Sequence, residues 1–102
     1  MYQIRANIQL SDKNRQQKIS GNSYRPLLYF SDSIIRSGLI VLENYDYLEM
    51  DKSYENILLK IYFYKDLDCS KEFFIGRKFE LREGSLSIGD GIITEIIGDY
   101  LK

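Results

Sequence analysis

Apolar and polar residues alternate without interruption from Tyr2 to Leu10. Tyr2, Ile4, Ala6, Ile8 and Leu10 fall on one face, and Gln3, Arg5, Asn7 and Gln9 on the other. A period of two is that of a strand with one wet face. The same period returns from Ile57 to Tyr64, setting Ile57, Leu59, Ile61 and Phe63 against Leu58, Lys60, Tyr62 and Tyr64, and again in RKFELRE, where Phe79 and Leu81 face in while Lys78, Glu80 and Arg82 face out. The run from Ile88 to Ile97 is punctuated by Gly89 and Gly91, the mark of a bulge or of a close backbone approach. Two shorter runs, Leu27 to Phe30 and Leu39 to Leu42, are apolar on both faces. Pro26, with no N–H and a fixed φ, belongs at the start or edge of the first; a polar turn centred on Ser37 and Gly38 is expected before the second. A strand apolar on both sides is wrapped inside a barrel and covered outside, or awaits a partner. Leu27 and Ile40 are therefore candidate outward contact residues.

Between the strands, Ser11 to Ser23 (SDKNRQQKISGNS) has Ile19 as its one apolar residue and predicts a long, mobile loop. Lys65 to Glu72 reads as a polar turn. No amphipathic helix, internal repeat, low-complexity tract or linker divides the chain. Six strands in one domain predict an all-β fold, and a six-stranded antiparallel closed β-barrel is the economical way to hide the edges of so small a sheet.

Length and charge narrow the function. A chain of 102 residues, 44% hydrophobic and 28% charged, has the size and composition of one packed domain. Fourteen Lys and Arg against 15 Asp and Glu leave a net charge of -1, so no long-range attraction draws the molecule to phosphate backbones. Cys69 has no cysteine partner within the chain. With no evident leader, that favours the cytoplasm, and the lack of any apolar run near the roughly 18 residues of a membrane span predicts no membrane partner. Histidine is absent, which removes imidazole bases, Ser-His and Cys-His nucleophile pairs and most zinc sites. No enzymatic activity and no cofactor are expected.

Each remaining chemical candidate has a plainer explanation. Gly84, Gly89 and Gly91 suggest a phosphate cradle, but no Lys-Ser/Thr opens a helix behind them. Asp66, Asp68 and Glu72 suggest a cation site without the spacing of a calcium loop, so a solvated acidic turn is the better account. Cys69 lies in that turn near Lys65 and Lys71, which favours its thiolate only modestly, and a free thiol is the default. Arg82 and Glu83 are adjacent on a strand, point to opposite faces and do not address one substrate together; charges capping a barrel end explain them. Tyr45, Tyr47, Tyr62 and Tyr64 could stack on bases, yet no basic groove accompanies them and packing serves equally well.

Two segments carry a resemblance. SYRPLLYF, from Ser23 to Phe30, is similar to the GYRPQFYF signature of the third, C-terminal β-barrel domain of elongation factor Tu. FELREGSLSIGDGIITEII, from Phe79 to Ile97, is similar to that domain's closing segment, which reads like FAIREGGRTVGAGVVTKIL. With the opening strand and loop in the expected order, the resemblance runs from about Ile4 to Ile97, loosely in the middle. It implies a six-stranded antiparallel barrel that is not catalytic and that, in the family, packs on neighbouring domains, touches the T-stem side of aminoacyl-tRNA and contributes to nucleotide-exchange-factor binding. Carried over by position, Arg25 and Pro26 match the pair that opens a strand, and Arg82, Glu83 and Gly84 match a turn that approaches the tRNA backbone. Ser37 replaces a threonine near a tRNA contact, and Leu27 stands where the family has a tRNA-contacting glutamine. Ser85 replaces a glycine, Asp90 brings a negative charge between glycines, the turn near Ser37 is one residue longer, and a DKSYEN segment replaces a Pro-Gly-Asp turn. These departures keep the barrel and erode its tRNA surface.

The expectation is thus a stand-alone, translation-linked binding module that mimics this domain toward a protein partner. Weak tRNA or RNA binding at Arg82 to Gly84, and an immunity- or inhibitor-type decoy toward a toxin-like partner, are the alternatives. A homodimer through the apolar face around Leu27 and Ile40 would serve the same need for cover. The expected binding residues are Arg25, Leu27, Ser37, Ile40, Arg82, Glu83 and Gly84.

Overall fold

The computed structural model describes residues 1–62 and 69–99. Phe63, Tyr64, Lys65, Asp66 and Asp68 lie outside the described residues. Among the described residues eight strands and one helical turn follow in order: β1 (Tyr2–Leu10), β2 (Ile19–Ser20), β3 (Leu27–Ser31), β4 (Ile34–Val41), β5 (Tyr47–Leu48), β6 (Ser53–Ile61), α1 (Cys69–Glu72), β7 (Lys78–Glu83) and β8 (Leu86–Asp99). Six of them close an antiparallel barrel in the order β1-β6-β4-β3-β7-β8, with β8 returning to β1. The predicted architecture is present. Closure leaves none of these six strands with an unpaired side, which is how a sheet of this size avoids edge-to-edge association.

The alternation of β1 and β7 becomes burial directly. Ile4, Ala6 and Leu10 of β1 and Leu81 of β7 are fully buried, with Leu28, Ile40, Leu59, Ile61 and Ile88 from the other strands. Gly89 and Gly91 mark close approaches: a β-carbon on Gly89 would lie 2.3 Å from the Gln9 carbonyl oxygen, and one on Gly91 would lie 2.6 Å from the Phe79 ring. Each barrel end has a cover. Phe73, just after α1, packs on Tyr2 and Phe30 with ring centroids 5.1 and 5.4 Å away, and Phe30 in turn meets Phe79. At the opposite end the two-stranded sheet β2-β5 buries Ile19, Leu48 and, just beyond, Met50.

Several expectations change. Ser11 to Ser23 is not wholly a loop: Ile19 is 1% exposed and carries β2 into pairing with β5. A single anchor is too little to show periodicity, yet enough to seat two residues. The turn expected at Ser37 and Gly38 lies instead at Asp32 and Ser33, and β4 runs straight through Gly38. That strand was obscured because Arg36, at an inward-facing position near the barrel end, breaks the apolar pattern; its guanidinium is satisfied by a two-pronged pair with Glu72 of α1. β6 begins at Ser53 rather than Ile57 and ends at Ile61. Cys69 and Glu72, read as part of a turn, form the helical turn α1.

Candidate functional site

The candidate face is the outside of β4-β3-β7. Leu28 points inward and is fully buried, so Leu27 and Tyr29 on either side of it point out. Register then fixes their neighbours. Leu27 is opposite Ser37 on one side and Arg82 on the other, and Tyr29 is opposite Ile35 and Glu80. Two outward rows result, Ser37-Leu27-Arg82 and Ile35-Tyr29-Glu80. The Arg82 guanidinium lies 3.7 Å from the Tyr29 ring centroid and donates to Glu80. Arg25, exposed just ahead of β3, lies 4.9 Å over the Tyr62 ring, and the Tyr62 N–H donates to the Ser37 carbonyl at 2.9 Å. Ile35 is 43% exposed.

Four of the seven expected residues, Arg25, Leu27, Ser37 and Arg82, are thus brought to one face. Ile40 is not among them. It was expected to point outward but is fully buried in the core, because β4 enters the barrel with Gly38 and Ile40 inward and Leu39 and Val41 outward. In an all-apolar run nothing in the sequence sets that phase.

Glu83 and Gly84 serve the barrel end. The Glu83 carboxylate accepts from the Tyr24 hydroxyl and from Arg15, whose guanidinium also lies 4.7 Å over the Tyr24 ring and donates to the Gln17 carbonyl at 2.7 Å. Burial first, and then the Glu83 carboxylate, push the Tyr24 phenol well above its ordinary range. Gly84 has φ of +59° at the first position of a two-residue turn, a conformation glycine adopts without strain. Arg82 and Glu83 have separate partners, as their adjacency on a strand predicts.

A second constructed feature lies around Arg5 of β1. Between the pairs Ala6↔Ile57 and Ile8↔Tyr54, β6 inserts Glu55 and Asn56 opposite Asn7 alone, a bulge. Between Arg5↔Glu95 and Ala6↔Ile93, β8 inserts Thr94 on the other side of β1. Asn56 takes φ of +55° and is held from three directions: its N–H donates to Asn7 Oδ1 at 3.0 Å, its carbonyl accepts from Arg5 at 3.1 Å, and its Oδ1 accepts from Thr94 at 3.3 Å. Beside it opens a groove of about 610 Å³ whose lining includes Arg5, Val41, Glu43, Tyr45, Glu55, Leu58 and Glu95. Arg5 donates to both oxygens of Glu43, the nearer at 2.6 Å, and holds that carboxyl below the usual range. The sequence carried a signal for this feature in the acids clustered between Glu43 and Glu55. It carried none for the bulges.

No protein-family model matches the chain. Among the described residues no group of three or more Asp, Glu or Cys side chains is placed to hold a metal ion.

Proposed function

We propose that the chain is a non-catalytic, translation-linked binding module that presents the outer face of β4-β3-β7 to a protein partner, in the manner of the third domain of elongation factor Tu. The observation that supports this reading most is the juxtaposition of Leu27, Ile35, Tyr29 and Arg82 on one face. Tyr and Arg are, with Trp, the residues enriched at energetic centres of protein interfaces, and a guanidinium stacked on a ring presents both with little rotamer freedom left to lose. The two segments resembling that domain, SYRPLLYF and the one that opens with FELRE, supply most of β3 and β7 of this face. RNA suits it less. Stacking needs open ring faces, whereas those of Tyr29 and Tyr62 each already carry a guanidinium.

The test is capture by the immobilised protein from extract of its source cell, competed by full-length elongation factor Tu, beside the folded variants Leu27→Glu and Arg82→Glu. The expected result is a captured protein that the elongation factor displaces and that either variant retains about tenfold less tightly. Capture that the competitor leaves unaffected, or that both variants preserve, would refute the reading. Light scattering on the same variants separates a second copy of the chain from a foreign partner. Titration calorimetry is expected to show no GTP binding.

A further inference from the structure

We propose that the groove beside Asn56 is a second interaction surface, which takes a protein segment rich in Arg and Lys. This goes beyond the β4-β3-β7 reading and does not depend on it, since the groove lies over β1, β6 and β8 and takes from β4 only its last residue, Val41.

Three observations converge on it. The first is construction. Bulges in β6 and β8 flank the same short stretch of β1, and Asn56 of the β6 bulge, a non-glycine residue with positive φ, is fixed by three hydrogen bonds, one of them from Thr94 of the β8 bulge. Other bulges lie where β3 meets β4 and where β7 meets β8, as in many barrels, but here two flank one level of β1, and bulges commonly re-aim side chains at sites of contact. Here they turn Glu55 and Asn56 toward the groove.

The second is charge. From Glu43 to Asn56 the chain places Glu43, Asp46, Glu49, Asp51 and Glu55 against Lys52 alone, and Lys52 is bound to Glu49. The groove itself has Glu43, Glu55 and Glu95 around Arg5. Arg5 is engaged by Glu43, with Glu95 at 3.6 Å, and Glu55 has no ion pair among the described residues. These carboxylates do not converge on one point that would chelate a metal ion. Three carboxylates against Arg5 alone leave the groove negative, with Glu55 free of an ion pair among the described residues, a charge that suits cationic side chains and repels a phosphate backbone.

The third is the aromatic wall. Tyr45 is 41% exposed and its ring is buttressed edge-on by Tyr54 at 5.2 Å, while the Tyr54 hydroxyl accepts the Glu49 N–H at 2.7 Å. A tyrosine held in this way meets a partner with little further loss of freedom. The neighbouring Tyr47 ring carries Lys18 at 4.2 Å, so the molecule itself shows a cation seated on a tyrosine of this lobe. An incoming Arg or Lys would lay its aliphatic stem along Val41 and Leu58 and bring its charge to Glu55 or Glu95.

The probe is a short peptide of alternating Arg and Gly, titrated into isotope-labelled full-length protein and followed by amide chemical shifts, with the same peptide carrying uncharged citrulline as control. We expect perturbed amides to cluster at Tyr45, Glu55, Asn56 and Glu95, the citrulline peptide to be inert, and binding to weaken steeply between about 0.05 and about 0.5 M salt. Reversing Glu55 and Glu95 to Lys should weaken binding by about tenfold or more, whereas Leu27→Glu on the other face should leave it unchanged. Shifts scattered over the exterior, equal binding of the citrulline peptide, or single-stranded RNA perturbing the same amides would overturn the proposal. Should the reversed variant fail to fold, the citrulline and salt arms on the unaltered protein decide it.

Discussion

At the scale of single residues, much of this molecule is set by where a side chain is missing or held back from ionising. Gly89 is the sharpest case. A β-carbon there meets backbone, which cannot rotate away, while at Gly91 it meets a ring. Gly89→Ala is expected to destabilise the barrel by about 1–3 kcal/mol or more, read as a lower urea midpoint, and Gly91→Ala by less if the Phe79 ring yields. Equal stability of Gly89→Ala and the unaltered protein would mean that β1 and β8 are not so closely apposed. Tyr24 gives a pH test. Its folded pKa is raised, so its contribution is fully present below the unfolded tyrosine value of about 10 and is lost as pH rises through the folded value. The melting temperature should therefore fall above about pH 10, and Tyr24→Phe, which costs about 1 kcal/mol at neutral pH through the lost Glu83 hydrogen bond, should flatten that fall. The same alkaline slope in both proteins would assign the effect to other tyrosines.

At the scale of elements, legibility followed the alternation of residue types. β1 and β7 show strict period two and were readable together with their buried faces; Gly89 and Gly91 announced the close approach in β8. β4 was half hidden, since Arg36 put a charge on an inward position, Gly38 resembled a turn former and the apolar run that follows has no phase. Ile40 was misplaced for that last reason. β2 could not be read at all, because two residues have no period and the partner, β5, is equally short. Its existence makes a prediction that a free loop would not. Ile19→Ala removes the apolar anchor of the β2-β5 cover and should cost about 2–5 kcal/mol, as for other fully buried large-to-small changes. It should also abolish hydrogen-exchange protection at Leu48 and Ser20 before the barrel amides are affected. An effect below about 0.5 kcal/mol, the range of ordinary surface substitutions, would show that the segment contributes no structure. Of the candidate site, the residues on β3 and β7 were legible from sequence, whereas the groove depends on bulges that only pairing reveals.

At the scale of the whole molecule, the decisive fact is that the first strand closes the barrel. β1 pairs along nearly its full length with β8 on one side and with β6 on the other, so the last barrel strand in sequence depends on the first. These contacts join residues separated by most of the chain, for example Tyr2 with Asp99 and Leu10 with Gly89. Contacts so distant in sequence cannot form until long loops have closed, which slows folding and ties the strands into one cooperative unit. Urea unfolding should accordingly be a single transition, coincident by tyrosine fluorescence and far-ultraviolet circular dichroism, with refolding on the millisecond-to-second scale of non-local β proteins. Deleting residues 1–10 tests the claim more severely. The deletion exposes the facing sides of β6 and β8 together and removes Ile4, Ala6, Ile8 and Leu10 from the core, so neither a partial barrel nor either proposed interaction face should survive. The truncated chain is expected to lack dispersed amide resonances and, when the missing strand is supplied as a separate peptide, to recover them together with the groove over Arg5. Native-like dispersion in the truncated chain alone would show that β6 to β8 form a stable sheet without closure, and the account of this barrel as one cooperative unit would fall.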